Sequence, residues 1–382
     1  MNILVTGAKG FIGRNLVHVL TDRLGLSIST LDRESDDAAL AEAVSDVDLV
    51  FHLAGVNRPR SEVEYHVGNA EFTRKLCDLL ETASRRRGMA ASIVLASSIQ
   101  AESDGAYGSS KRAAEDACLE YSRRVGVTSF VFRLPNVFGK WCRPNYNSVV
   151  ATFCYNICRN LPVIVHDAAA VLRLVYIDDV VAAFADVIGR IRCSREQHNG
   201  ELLYLGVDPE YRLTVGELRE SLEGIHNDRR SLTVGSVGSA LNRALYATYI
   251  SYLPREDIAY AISKHTDQRG SFAEFVKTKC CGQVSFFTAL PGVSRGGHYH
   301  HSKSEKFLVV HGEAKFTLRN LADAGALEIY VSSASPTIVE PPPGWAHEVT
   351  NVGTTELVVV LWANEVFDAN SPDTFRANVF SA

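Results

Sequence analysis

A chain of 382 residues is longer than one hydrophobic core usually serves, so two domains are expected. With 46% apolar and 22% charged residues, the composition is that of a soluble globular protein. A net charge of −5 and a pI near 6.2 supply no basic footprint, and no Lys/Arg cluster follows an apolar run, so neither nucleic acid nor membrane is expected as a partner.

The sequence runs from Met1 directly into an apolar stretch, without a charged leader or cleavage site. Its eight Cys follow no framework spacing, which suits reduced thiols, and a cytoplasmic location is expected. Cys154 and Cys158, like the adjacent Cys280 and Cys281, read as packing or surface thiols.

Short β-branched runs at 2–6, 27–31, 49–53, 93–97 and 129–134 alternate with longer helical stretches, and four of them are nearly continuous apolar runs. Strands covered by helices on both faces read this way, so the N-terminal part is predicted to be a Rossmann-type, doubly wound parallel α/β sheet. Residues 139–241 mix helices with short strands and are expected to form a substrate lobe. Beyond 245, short strands at 283–290, 305–310, 314–318, 327–331 and 356–362, broken by Gly and Pro, predict an antiparallel jelly-roll barrel. The boundary is placed within 235–250, giving an N-terminal domain of residues 1–243 and a C-terminal domain of 244–382.

The first strand is followed by Gly7-Ala-Lys9-Gly10-Phe11-Ile12-Gly13-Arg14, a GxxGxxG turn opening a helix. Backbone N–H groups and a helix N-terminus can approach a pyrophosphate there, whereas side chains at those glycines would block it. Asp32 ends the second strand, where an acid holds adenosine ribose hydroxyls. Arg33 follows and could bind a 2′-phosphate, so NAD and NADP both stay open, with Arg14 and Arg33 weighing toward NADPH. Tyr107-Gly-Ser-Ser-Lys111 opens a helix, so Tyr107 and Lys111 share a face, and the ammonium is expected to lower the phenol pKa. Ser98, past the fourth strand, is placed to bond the same carbinol oxygen.

Together with Leu53-Ala54-Gly55, Asn69, Arg133-Leu-Pro-Asn136-Val-Phe-Gly139 and Tyr176-Ile-Asp-Asp179, these motifs resemble extended short-chain dehydrogenases acting on nucleotide sugars. The resemblance implies Ser98, Tyr107 and Lys111 as the catalytic set, with Leu53, Ala54, Gly55 and Asn69 beside the cofactor. Sugar dehydratases of that superfamily carry Asp-Glu after the catalytic hydroxyl residue. Ile99 and Gln100 stand there instead, which favours a reductase.

Gly292-Val-Ser-Arg295-Gly-Gly-His298-Tyr-His300, with Glu305, matches the first cupin motif, and Pro342-Pro-Gly344-Trp-Ala-His347 matches the second. Strand alternation puts His298 and His300 on one face, and neighbouring strands can bring Glu305 and His347 to the same cavity. Three imidazoles and a carboxylate suit a divalent metal, zinc foremost, although ligand types alone do not choose among zinc, iron, nickel and manganese. His301 and His311 fit no ligand position and read as solvated. The segment from Asp267 to Glu274 resembles the dTDP-4-keto-6-deoxyglucose epimerases, in which a His at the place of His298 is the base, so His298 is base or ligand. That segment crosses between subunits in such epimerases, which implies a homodimer.

The order of domains, with Asn57-Arg-Pro59, Gly139-Lys-Trp-Cys-Arg-Pro-Asn-Tyr-Asn-Ser148 and Tyr249-Ile-Ser-Tyr-Leu-Pro254, resembles the CapF family of bifunctional UDP-sugar epimerase/reductases over essentially the whole chain. The resemblance implies a UDP-linked 2-acetamido-2,6-dideoxy-4-keto-hexose as substrate. It is epimerised at carbon 3 in the cupin and reduced at carbon 4 with NADPH, with Asn136, Arg173, Arg269, Arg295 and Lys306 toward the substrate. Two rival readings are a non-catalytic cofactor sensor with a sugar-binding cupin, which the presence of Tyr107 and Lys111 argues against, and a metal-dependent dioxygenase fused to a reductase.

Overall fold

The computed structural model describes residues 1–22, 24–193, 200–262, 265–267, 270–272, 276–278, 282–323, 325–365, 368 and 370–380. The chain divides into two compact units, Met1–Val137 with Arg173–Arg212, and Phe138–Leu172 with Leu213–Ala382.

The first unit is built on a parallel sheet of six strands. These are β1 (Ile3–Thr6), β2 (Ile28–Leu31), β3 (Leu49–His52), β4 (Ser92–Ser98), β5 (Ser129–Leu134) and β6 (Leu202–Leu205), in the order β2-β1-β3-β4-β5-β6. The predicted apolar runs are these first five strands, and β1 and β3 are buried at every residue. Helix α1 (Phe11–Asp22) follows the glycine turn, α2 (Phe72–Arg87) leads into β4, and α3 (Ala106–Val125) joins β4 to β5. Leu4, Val50, Ile93, Leu95 and Val131 from the sheet pack with Leu76 and Leu80 of α2 and Cys118 and Tyr121 of α3. α2 is preceded by a π-helical turn, His66–Glu71, a rare geometry that often marks a functional position.

In the second unit two antiparallel five-stranded sheets carry the expected jelly roll. One comprises β7 (Ala259–Ala261), β8 (Gln283–Ala289), β10 (Glu305–His311), β13 (Thr337–Val339) and β15 (Leu357–Ala363). The other comprises β9 (Ser294–Tyr299), β11 (Glu313–Asn320), β12 (Ala326–Ser332), β14 (Trp345–Asn351) and β16 (Phe375–Arg376). Phe307 and Val309 of the first sheet and Ala314, Phe316, Leu318 and Val349 of the second share one core. Three helices, α4 (Val149–Cys158), α5 (Val215–Arg230) and α6 (Ala240–Ser251), belong to the same unit. The boundary drawn at 243/244 falls inside α6, whose residues 244–250 are all buried.

Candidate active site and metal centre

The glycine turn has the backbone its sequence demands. Gly7 adopts φ +70, a region open to glycine, and a Cβ on Gly13 would lie 2.2 Å from the Gly7 carbonyl oxygen. Gly7 N donates to Leu31 O at 2.7 Å and Gly10 N to Gly7 O at 2.9 Å, so the turn is closed on itself and Phe11 and Ile12 open α1. The Lys9 backbone amide donates to Asp32 Oδ1 at 2.8 Å, while its ammonium lies 2.7 Å from Glu34. Arg33 is exposed. Leu53 N and Ala54 N bond the Thr6 carbonyl and hydroxyl at 3.2 and 3.3 Å, which brings the Leu53-Ala54-Gly55 turn beside the glycine turn.

Ser98 ends β4 and caps the turn that follows, its hydroxyl accepting from Gln100 N at 3.2 Å. Tyr107, in the first turn of α3, lies near Ser98, and its ring is 5.3 Å from that of Tyr65. Burial raises the Tyr107 pKa, the nearby Ser98 hydroxyl pulls it back, and Tyr65 adds to the rise. This corrects the expected lowering by Lys111. Lys111 Nζ donates to the Ala96 carbonyl at 3.0 Å and lies 5.9 Å from the Tyr107 ring centroid. Burial pushes Lys111 itself down to about 8, against the attraction of Glu115.

Asn69 lies in the π-helical turn and is buried. Its amide oxygen accepts from Val56 N at 2.8 Å, and its nitrogen donates to Val56 O and Ser110 Oγ, each at 3.0 Å. Those bonds stitch the Gly55 turn to α3. Sequence reasoning missed Glu115, one turn beyond Lys111. This buried carboxylate takes Ser97 Oγ, two Arg133 nitrogens (Nε at 3.0 Å, Nη2 at 2.6 Å) and Tyr204 OH at 3.1 Å, tying α3 to β4, β5 and β6. The spacing YxxxKxxxE was the available signal. Asn136 is exposed and donates to the Arg173 carbonyl at 3.3 Å. The Arg173 guanidinium makes two 2.7 Å bonds to Glu210.

In the second unit His298, His300, Glu305 and His347 converge, their ligand atoms all within 4.8 Å of one another. Glycine makes this possible on β9. Gly296 (φ +115) and Gly297 (φ +68) form a bulge that shifts the register between Gly296 and His298, re-aiming the strand beside β14, where His347 sits. Glu305 opens β10 on the facing sheet, its Oε2 lying 3.1 Å from His300 Nε2 and 3.4 Å from His347 Nε2. Burial beside His347 and His300 pushes His298 down to about 3, which leaves it neutral, as a metal ligand must be. Burial opposes ionisation of Glu305, but the neighbouring His300 and His347 hold its carboxyl well below the usual range. His347 Nε2 is buried without a hydrogen-bond partner. A neutral His298 imidazole, an ionised carboxylate and an orphaned His347 ring nitrogen fit a divalent metal.

Lys306 corrects another expectation. Adjacent strand residues face opposite sides, so Lys306 points away from the Glu305 cavity. It is buried against Tyr260 OH at 2.7 Å and Glu340 at 3.5 Å. His301, expected in solvent, is also buried, between the Tyr299 and Phe375 rings at 5.2 and 4.9 Å, because the C-terminal strand β16 covers it, whereas His311 is exposed as expected. Arg295 is exposed and bonds the Thr288 carbonyl at 3.1 Å. Arg269, half of the Asp267–Glu274 segment, Cys280 and Cys281 lie outside the described residues. Of the other cysteines, Cys77, Cys118, Cys142, Cys154 and Cys158 are free thiols.

Residues 3–199 match the NAD dependent epimerase/dehydratase family. The chain belongs to that family. Residues 265–375 match the polysaccharide biosynthesis C-terminal domain, which contains all four clustered donors. The chain is 50% identical over 99% of both sequences to the UDP-2-acetamido-2,6-beta-L-arabino-hexul-4-ose reductase of Pseudomonas aeruginosa. It is also similar to the crystal structure of the capsular polysaccharide assembling protein CapF from Staphylococcus aureus, at 40% identity and a TM-score of 0.66, over 99% of this chain and 100% of the other. The spore coat polysaccharide biosynthesis protein SpsL of Bacillus subtilis is 28% identical over 30% of this chain and 83% of its own. This member of the epimerase/dehydratase family thus has the domain pairing of CapF. Among the described residues, no helix is long and apolar enough to cross a membrane.

Proposed function

We propose that the chain is a bifunctional enzyme of nucleotide-sugar biosynthesis, serving capsule or O-antigen assembly in the cytoplasm. Its substrate is a UDP-linked 2-acetamido-2,6-dideoxy-4-keto-hexose, epimerised at carbon 3 in the cupin and reduced at carbon 4 in the N-terminal unit, giving UDP-2-acetamido-2,6-dideoxy-L-talose, a precursor of UDP-N-acetyl-L-fucosamine. The observation that supports this reading is that one chain brings together two side-chain sets of different chemistry, a half-buried phenol near Ser98 and a buried ammonium, and a His₃Glu cluster. The order follows from the substrate. Only the 4-keto group makes the carbon-3 proton acidic enough to remove, and reduction destroys that group, so epimerisation comes first.

In the reductase site, Tyr107 holds its proton until the carbon-4 oxygen needs it, and Ser98 orients that oxygen. Residues of the glycine turn and Asp32 would hold the dinucleotide, whose nicotinamide supplies hydride when bound. In the cupin, His298, His300, Glu305 and His347 would hold a divalent metal, zinc foremost, which when bound polarises a carbonyl as a Lewis acid. Arg295, on β9, is the cation proposed to meet the developing enolate charge. The donor geometry supports His298 as a ligand, which leaves the carbon-3 base to another group.

Incubating the protein with a UDP-4-keto-6-deoxy amino sugar and NADPH, then assigning the product by NMR, tests the reading. The expected product is inverted at carbon 3 and carries a hydroxyl at carbon 4. Reduction without inversion would remove the epimerase half. NADPH is the proposed cofactor, and Arg33→Ala is expected to raise KM for NADPH more than for NADH, equal effects assigning Arg33 to the surface. The chain is also proposed to be a homodimer, which light scattering at micromolar concentration checks.

A further inference from the structure

The four metal donors stand in two short motifs, but the groups that hold them reach some seventy residues further along the chain. His300 Nδ1 bonds the backbone carbonyl of Asp373, and that bond turns Nε2 toward Glu305 and the cluster. The Asp373 carboxylate accepts the backbone N–H groups of His301 at 3.0 Å, Ser302 at 2.8 Å and Lys303 at 2.7 Å, and the Ser302 hydroxyl at 3.1 Å. The turn so gripped connects His300 to Glu305. Its last residue but one, Lys303, places its ammonium 3.2 Å from Glu305 Oε1, the oxygen turned away from the imidazoles, and 3.3 Å from Thr374 Oγ1, next in sequence to Asp373. The segment continues as β16, which pairs Tyr299 with Phe375 and His298 with Arg376.

We infer that Asp373 is a positioning residue of the metal centre, fixing the ring of His300 through its backbone carbonyl and the orientation of the Glu305 carboxylate through the 301–303 turn and Lys303. Groups that orient metal ligands this way are worth about 10–100-fold in metal affinity when removed. A carboxylate that collects three N–H groups is also a stronger clamp than a neutral acceptor. Two of the four ligands therefore depend on one residue outside both motifs, His300 through its backbone carbonyl and Glu305 through the turn its carboxylate grips. This inference rests on the metal reading of the cluster.

The test uses the full chain, stripped of metal and titrated with zinc against a competing chromophoric chelator, then with cobalt(II), whose visible absorption reports the coordination geometry. Native protein should bind about one metal per chain, and failure to do so would remove the metal reading itself. Given native binding, Asp373→Asn and Asp373→Ala should each weaken zinc binding by about 10–100-fold and alter the cobalt spectrum. Lys303→Met should weaken it by the same route, so that its effect and that of Asp373→Asn combine to less than their sum in the double variant. Near-ultraviolet circular dichroism identifies variants that fold. Should Asp373→Ala fail to fold, the isosteric Asp373→Asn and the Lys303→Met variant still decide the matter. Zinc affinity within twofold of native, with an unchanged cobalt spectrum, in folded Asp373→Asn would overturn the assignment.

Discussion

In the proposed reductase site, Tyr107 and Lys111 divide the demands on an acid catalyst between them. A phenol that must give up its proton to a developing alkoxide is served by a pKa above the working range, and burial supplies that while Ser98 limits the rise. Replacing Tyr107 with Phe removes the proton donor and is expected to lower the rate of NADPH-dependent reduction by about 10²–10⁴, measured as NADPH oxidation with the keto-sugar. Lys111 titrates from the other side. Its folded pKa of about 8 lies below the ordinary value of 10.5, so the site holds the cation below pH 8 and loses it as pH rises through that value. The profile of kcat/KM for reduction should therefore fall along a basic limb centred about pH 8. In Lys111→Arg, whose guanidinium stays protonated, that limb should move upward or vanish; an unmoved limb would assign it to another group. Both residues were legible in the sequence because YxxxK is a local spacing on one helix. Glu115, Lys303 and Asp373 were not, because a buried carboxylate or clamp is defined by what the fold brings to it, and for Asp373 the partners stand seventy positions away.

Strand positions were legible for a related reason. Continuous apolar runs mark strands buried on both faces, and the five predicted N-terminal runs fall on β1 to β5. The sixth strand, Leu202–Leu205, is partly exposed and sits at the sheet edge, so its pattern was too weak to separate from the mixed lobe. The error at Lys306 was one of facing. With Glu305 turned inward, alternation along β10 commits Lys306 to the opposite side, where it meets Glu340 and Tyr260. Glu340 is fully buried, accepting from Arg229 Nε and Tyr246 OH, each at 2.8 Å, with Lys306 Nζ at 3.5 Å. Removing the one carboxylate leaves two buried cations uncompensated, and breaking a buried pair in this way typically costs about 3–5 kcal/mol. Glu340→Ala should lose stability of that order in denaturant unfolding, whereas breaking the exposed Arg85–Glu81 pair should cost at most about 1 kcal/mol. A Glu340→Ala loss below 1 kcal/mol would show that water reaches this cluster.

Glu340 also explains why the lobe and the cupin strands form one compact unit. Arg229 comes from α5, Tyr246 from α6, Lys306 from β10, and Glu340 follows β13. The Gly139–Ser148 stretch and the Tyr249–Pro254 stretch, diagnostic in sequence, join in the same unit, where Tyr252 OH bonds the Cys142 carbonyl. Trp141 rests on the loop carrying the second metal motif, so close that a Cβ on Gly344 would lie 2.7 Å from its ring. A cut near residue 245 would split α6 and strip this packing, so the independence of the two activities has to be tested by point substitution in the whole chain. The two proposed catalytic sets fall in different units, Ser98, Tyr107 and Lys111 in the first and the His/Glu cluster in the second. Each should keep its own half-reaction when the other is disabled. In deuterated water, Tyr107→Phe should still place deuterium at carbon 3 of the UDP-4-keto-sugar without consuming NADPH, because the exchange needs neither hydride nor the phenol. Conversely, His347→Ala, left with an open and weaker metal site, should lose that exchange and most of its metal by elemental analysis, yet oxidise NADPH when given sugar already inverted at carbon 3. Exchange that persists in His347→Ala but disappears in Tyr107→Phe would place the carbon-3 chemistry in the N-terminal unit and leave the cupin a binding role.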